Sequence, residues 1–162
     1  MQQMWEIGRD NRKRGIKMEN VIYISLFSWL LLLSWQDIRK KEVSLFLLLA
    51  GVVIVVLSIG TGIRMGQGTS LWISKGIGML MGISLILLSK ASKGQIGMGD
   101  AIVLTVTGIV FGFWDNLFLF FYSLILSAVY TAVLLLMKRI HKKQNIAFLP
   151  FIVLGTLGVI FG

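Results

Sequence analysis

Residues 21–59 read VIYISLFSWLLLLSWQDIRKKEVSLFLLLAGVVIVVLSI. Two apolar runs, 21–36 and 43–59, enclose the polar insert Asp37-Ile38-Arg39-Lys40-Lys41-Glu42. Neither run contains a proline or a charged side chain. At 1.5 Å per residue, helices of these lengths reach about 24–26 Å, close to the roughly 30 Å hydrocarbon thickness of a bilayer. Backbone polar groups in lipid must be satisfied within the segment, so the pattern predicts a pair of membrane helices joined by a charged turn.

The rest of the chain repeats this pattern. Further apolar runs cover residues 71–89, 101–114, 117–137 and 146–161, the 101–114 run being short. Of 162 residues, 56% are hydrophobic and 14% charged. A soluble domain carries about 25% charge, and a core of this size cannot hide so much apolar surface. Such hydrophobicity also excludes a disordered chain. The fold expected is all-α, a polytopic membrane bundle of about six helices over residues 21–162, preceded by a basic tail over 1–20. The first run lacks a small-residue cleavage site, being followed by Trp35, Gln36 and Asp37, so it reads as a retained span. With no cysteine, disulfides, thiolate metal sites and cysteine nucleophiles are excluded.

The formal charge of +9 could mark a nucleic-acid binder. Here the basic residues lie between apolar runs, so the expected partner is a bilayer with anionic lipids, and no nucleic acid. Arg39, Lys40, Lys41, Lys90, Lys93, Lys138, Arg139, Lys142 and Lys143 fall in alternate connections, whereas the opposite side holds only Arg64 and Lys75. The richer side is expected to be cytoplasmic, in the cell membrane. The tail opposes this with Arg9, Arg12, Lys13, Arg14 and Lys17. Either translation starts at Met18 rather than Met1 or Met4, the reading favoured here, or later loops outvote the tail. The GxxxG pairs Gly78/Gly82, Gly108/Gly112 and Gly158/Gly162 are expected to let helices pack closely.

Acids near a membrane are costly, so the seven present are informative. Asp37 ends the first span and Asp100 starts the fourth, which puts both at the cytoplasmic side. Asp115 belongs to the opposite side. Glu42 reads as a solvated partner of Lys40 or Lys41, and Glu6, Asp10 and Glu19 lie in the tail. Asp100 closes the glycine-rich stretch Gly94-Gln95-Ile96-Gly97-Met98-Gly99, and the short fourth helix is expected to draw it inward. Two neighbouring carboxylates that share a proton can activate water and protonate a scissile carbonyl. The macrodipole would favour Asp100, at a helix N-terminus, as the ionised member and leave Asp37, near a helix C-terminus, protonated. The competing reading is a pair of interface charges. His141, the one histidine, reads as a solvated loop residue; no HExxH, GxSxG, Walker or dinucleotide pattern occurs, so neither a metal nor another cofactor is expected.

Three segments together resemble the type IV prepilin peptidases and preflagellin peptidases. Asp37-Ile38-Arg39 through Val43 resembles D-x-R-x-x-x-[IV]-P; Gly97-Met98-Gly99-Asp100 resembles GxGD; Ala147-Phe148-Leu149-Pro150-Phe151 resembles P-F-x-P-F. Departures stand at Ser44 and Ala147, where proline is usual, and at Ile102, where lysine is frequent. The resemblance implies an aspartic membrane endopeptidase with Asp37 and Asp100 catalytic and Gly97, Gly99, Arg39, Pro150 and Phe151 supporting. It implies cleavage, at the cytoplasmic face, of a short basic leader from a prepilin-like substrate in a pilus or secretion system. It is similar to the short form of tight-adherence (Flp-type) systems, without a methyltransferase domain. No feature specifies an oligomeric state. Two alternatives stand beside this reading: a catalytically silent assembly component, and a small proton- or cation-coupled transporter. The presenilin-like lineage fits less well, because Gln36 precedes Asp37 at a span end.

Overall fold

The structure, a computed structural model, describes residues 2–40, 43–91, 97–137 and 147–161, with side chains over 18–40, 43–91, 97–137 and 147–160. Within these residues the chain is all-α. Six helices follow one another: α1 (Gln2–Lys40), α2 (Leu45–Arg64), α3 (Thr69–Ala91), α4 (Met98–Phe111), α5 (Phe113–Leu136) and α6 (Leu149–Phe161). Four segments are long and apolar enough to cross a membrane: Met18–Lys40 of α1, and all of α2, α3 and α5. The remaining two, α4 and α6, have 14 and 13 residues and so reach only about 20 Å. The backbone expected to form a tail over 1–20 continues α1 as helix from Gln2, in keeping with its Glu, Gln, Arg and Lys content.

Turn chemistry sets the connections. α2 ends in a Schellman motif: Gly66, at φ 61°, donates to Ile63 O, and Gln67 N donates to Gly62 O at 3.1 Å. α4 meets α5 through Gly112 alone, at φ 88°, where a side chain would be strained. The Phe113 amide beyond it donates to Ser74 Oγ at 3.0 Å. This turn moves the expected boundary. The fourth helix spans 98–111 rather than 101–114, so Asp100 lies within its first turn. The sixth starts at Leu149 rather than 146, because Pro150 suits a first helical turn, where no amide donor is needed.

Packing follows the small residues. A methyl on Gly78 would collide with the Gly108 carbonyl, and one on Gly82 with the Thr105 backbone. The first two GxxxG pairs therefore share one interface between α3 and α4. A Cβ on Gly158 would make only ordinary contact with the Tyr122 ring, at 3.9 Å, and its partner Gly162 lies outside the described residues. α4 touches α2, α3 and α5, while α1 bridges α2 and α6. Leu26, Leu30, Leu33, Leu104, Leu119, Leu149 and Ile152 are buried between these helices. Phe46, Val56, Leu80 and Leu136 point outward, as lipid-facing side chains should.

The α3–α4 register also sets the depth of Asp100. The Gly82–Thr105 and Gly78–Gly108 contacts run antiparallel. Continued toward the start of α4, they bring Asp100 level with about residue 87 of α3, roughly one turn, or about 6 Å, short of the end of that helix.

Candidate active site

The site forms where the C-terminus of α1 meets the N-termini of α4 and α6. Asp37 stands in the last turns of α1 and is only 9% exposed. Its Oδ2 accepts a hydrogen bond from the Leu149 amide at 3.3 Å, across 112 residues of chain. The Phe148 amide lies beside it. Leu149 is the first residue of α6, so its amide has no partner within its own helix. Asp37 supplies that partner from α1, as a capping side chain would.

Asp100 lies in the first turn of α4, half-buried, and Asp37 is the charged group that acts on it. Its carboxylate folds back over Gly97, where a Cβ would sit 2.6 Å from Asp100 Oδ2. Any side chain at 97 would displace the carboxylate. Gly99 serves another contact: a Cβ there would lie 3.1 Å from Val43 Cγ2, so the segment entering α2 rests on the first turn of α4. Ser44, next to Val43, donates its amide to Gln36 Oε1 at 3.1 Å. Higher in α1, Trp29 Nε1 donates to Leu47 O at 2.6 Å, fixing α1 against α2.

The sequence-predicted residues divide accordingly. Asp37, Asp100, Gly97, Gly99 and Pro150 gather at this end of the bundle. Arg39 does not: it is exposed, with its guanidinium 4.7 Å from the Trp35 ring centroid, on the face of α1 away from buried Asp37. Phe151 packs its ring on Tyr130, and its carbonyl accepts from Ser123 Oγ at 3.0 Å, so it ties α6 to α5. The helix dipoles expected to ionise Asp100 in preference to Asp37 act on both. Both carboxylates stand at helix N-termini, Asp100 at its own and Asp37 at that of α6, so the dipoles do not distinguish them. Glu42, Lys41, Lys93, Gly94, Gln95 and His141 lie outside the described residues. No three His, Cys, Asp or Glu side chains gather among the described residues.

Asp115 starts α5 at the far end, beside a cavity of about 510 Å³ lined by Phe118, Tyr122, Gly155, Gly158 and Val159. Sequence reasoning missed the Leu149 amide and Gln36. Pro150 was the available signal for the first, since a proline marks a helix start and hence an unpaired amide nearby. Gln36 carried no such signal.

Two carboxyl groups that act on each other can hold one proton between them, one acting as base and the other as acid. The model of the family described as the type IV leader peptidase family matches residues 24–132, which include both aspartates but not Pro150 or Phe151. The "Prepilin leader peptidase/N-methyltransferase" of Bacillus subtilis (strain 168) is similar, at 26% identity over 145 residues. That alignment covers 88% of this chain and 56% of the relative, so the chain spans little more than half the length of that protein. No solved structure matches the chain.

Proposed function

The chain belongs to the type IV leader peptidase family, and from that premise we propose that it is an aspartic endopeptidase that removes a short basic leader from prepilin-like substrates. Asp37 and Asp100 are the proposed catalytic pair, at the cytoplasmic face of the cell membrane. One carboxylate takes a proton from water, and the hydroxide formed attacks the scissile carbonyl carbon. The other carboxyl gives its proton to the carbonyl oxygen. When the tetrahedral intermediate collapses, the C–N bond breaks, the first carboxyl returns its proton to the leaving amine, and the second carboxylate takes back a proton from one of the diol hydroxyls.

The observation that carries this reading is the convergence of Asp37 and Asp100 at one end of the bundle, about one turn below the end of α3. A substrate whose apolar helix lies in the bilayer would present the start of that helix at this depth. The glycines at 97 and 99 favour the reading, since a side chain at 97 would displace the Asp100 carboxylate and one at 99 would press on Val43. A transporter would place its carboxylates nearer the bilayer midplane. The departure at Ser44 does not favour a silent assembly protein, because its φ of −66° keeps the backbone that a proline would impose.

The test is co-expression with a prepilin-like substrate in membranes, with the leader followed by mass spectrometry. Cleavage that disappears with Asp37→Asn and with Asp100→Asn, at unchanged protein levels, supports the pair. Cleavage that survives either substitution refutes it.

A further inference from the structure

The two aspartates stand on different helices, and a chain of contacts joins them outside the pair itself. Gln36, the neighbour of Asp37 on α1, accepts the Ser44 amide at 3.1 Å. Ser44 is the residue before α2, and its own side chain makes no capping bond. Val43, beside it, rests on Gly99, and Gly99 precedes Asp100. The Gln36 side chain thus closes a short path from one aspartate to the other.

The backbone at Ser44 explains why a glutamine is useful there. Its φ is −66°, the value that a proline ring holds covalently, and its ψ is 130°. A proline would have no amide hydrogen to satisfy. Ser44 has one, and its backbone is free to turn. The Gln36 hydrogen bond does both tasks: it pairs the amide and holds the residue in place.

We propose that Gln36 is a positioning residue, which through Ser44 and Val43 sets the spacing between Asp37 and Asp100. Its effect on cleavage rests on the function proposed above, but its effect on geometry does not. Displacing a catalytic group by about 1 Å costs up to about 10²-fold in rate. Gln36→Leu removes the acceptor, so kcat should fall about 10- to 100-fold with KM within about twofold. Adding Ser44→Pro to Gln36→Leu should restore most of kcat, since proline restores the φ and needs no acceptor. A side chain that merely packed would not be rescued in this way.

The experiment uses the full chain in lipid nanodiscs and, as substrate, a fusion of a basic leader ending in glycine to an apolar helix. The absence of native cysteine permits a parallel measurement with spin labels introduced by Ile38→Cys and Met98→Cys. Both positions are exposed, at 59% and 48%, near the two aspartates. The expected result is a distance distribution that broadens with Gln36→Leu and narrows again with Ser44→Pro added. An unchanged distribution in Gln36→Leu, or a kcat loss that Ser44→Pro leaves in place at full protein level, overturns the proposal. If Ser44→Pro prevents folding, Gln36→Leu alone decides: broadening supports the proposal and no change refutes it. A chain that cleaves nothing but whose labels respond as expected would retain Gln36 as the spacer and reject the peptidase reading.

Discussion

The two ends of the bundle are built differently. At the far end, where α4 turns into α5, polar groups are paired several times over. Asn116, fully buried, meets Thr107 Oγ1 at 2.7 Å and donates from Nδ2 to Leu104 O at 3.1 Å. The Gly112 turn is held by Ser74, and Gly78 abuts Gly108. At the near end, single hydrogen bonds join separate helices: Asp37 to Leu149 and Gln36 to Ser44. The far end is a closed lock of several contacts that reinforce one another. The near end joins its groups through fewer, separate bonds and leaves a half-buried acid in the gap. The tightly paired end and the proposed catalytic end thus lie about one short helix apart, with α4 linking them.

The sharpest way to break this contrast is at the acids. Asp37→Asn and Asp100→Asn should each lower leader cleavage by about 10²–10⁴-fold, the usual worth of a positioned acid or base, with unchanged protein level. Asp115→Asn should leave cleavage within about twofold in the same assay; a large loss there would erase the distinction between the ends.

Effects on stability come next. Gly82→Leu drives a side chain into the Thr105 backbone and should cost about 1–3 kcal/mol, read as a lower melting temperature in detergent. Asn116→Leu should cost less, about 1 kcal/mol, because Thr107 Oγ1 keeps Val103 O and Leu104 O as acceptors. If Asn116→Leu instead destabilised the chain more than Gly82→Leu, the lock would reside in hydrogen bonds rather than in close backbone packing.

The sequence made much of this legible. Apolar runs bounded by charge identify helices in any lipid-embedded chain, because lipid permits little else. The acids at 37 and 100 could be put at one end by counting connections alone. Orientation about each helix axis was not available, since a helix apolar all round has no distinguishing face. Arg39 was expected at the site from the resemblance of Asp37-Ile38-Arg39 to the family motif, although residues two apart on a helix point to nearly opposite sides. The boundaries of α4 and α6 shifted because Gly112 and Pro150 act through backbone geometry that hydropathy does not register. The partners of Asp37 and Ser44 were hidden for another reason: Leu149 lies 112 residues from Asp37, and Gln36 reaches Ser44 across the break between α1 and α2, where no helical spacing announces a pair.

The bond between Asp37 and Leu149 has a consequence in time. A ribosome adding about 5–20 residues each second needs about 6–22 s to make the 112 residues that separate the two. During that interval α1 exists without the amide that its carboxylate will accept. The nascent chain therefore holds an aspartate with no α6 to cap, and the docking of the last helix is the event that completes the site. The proposed catalytic pair would thus gain its α6 contact only after synthesis had reached that helix.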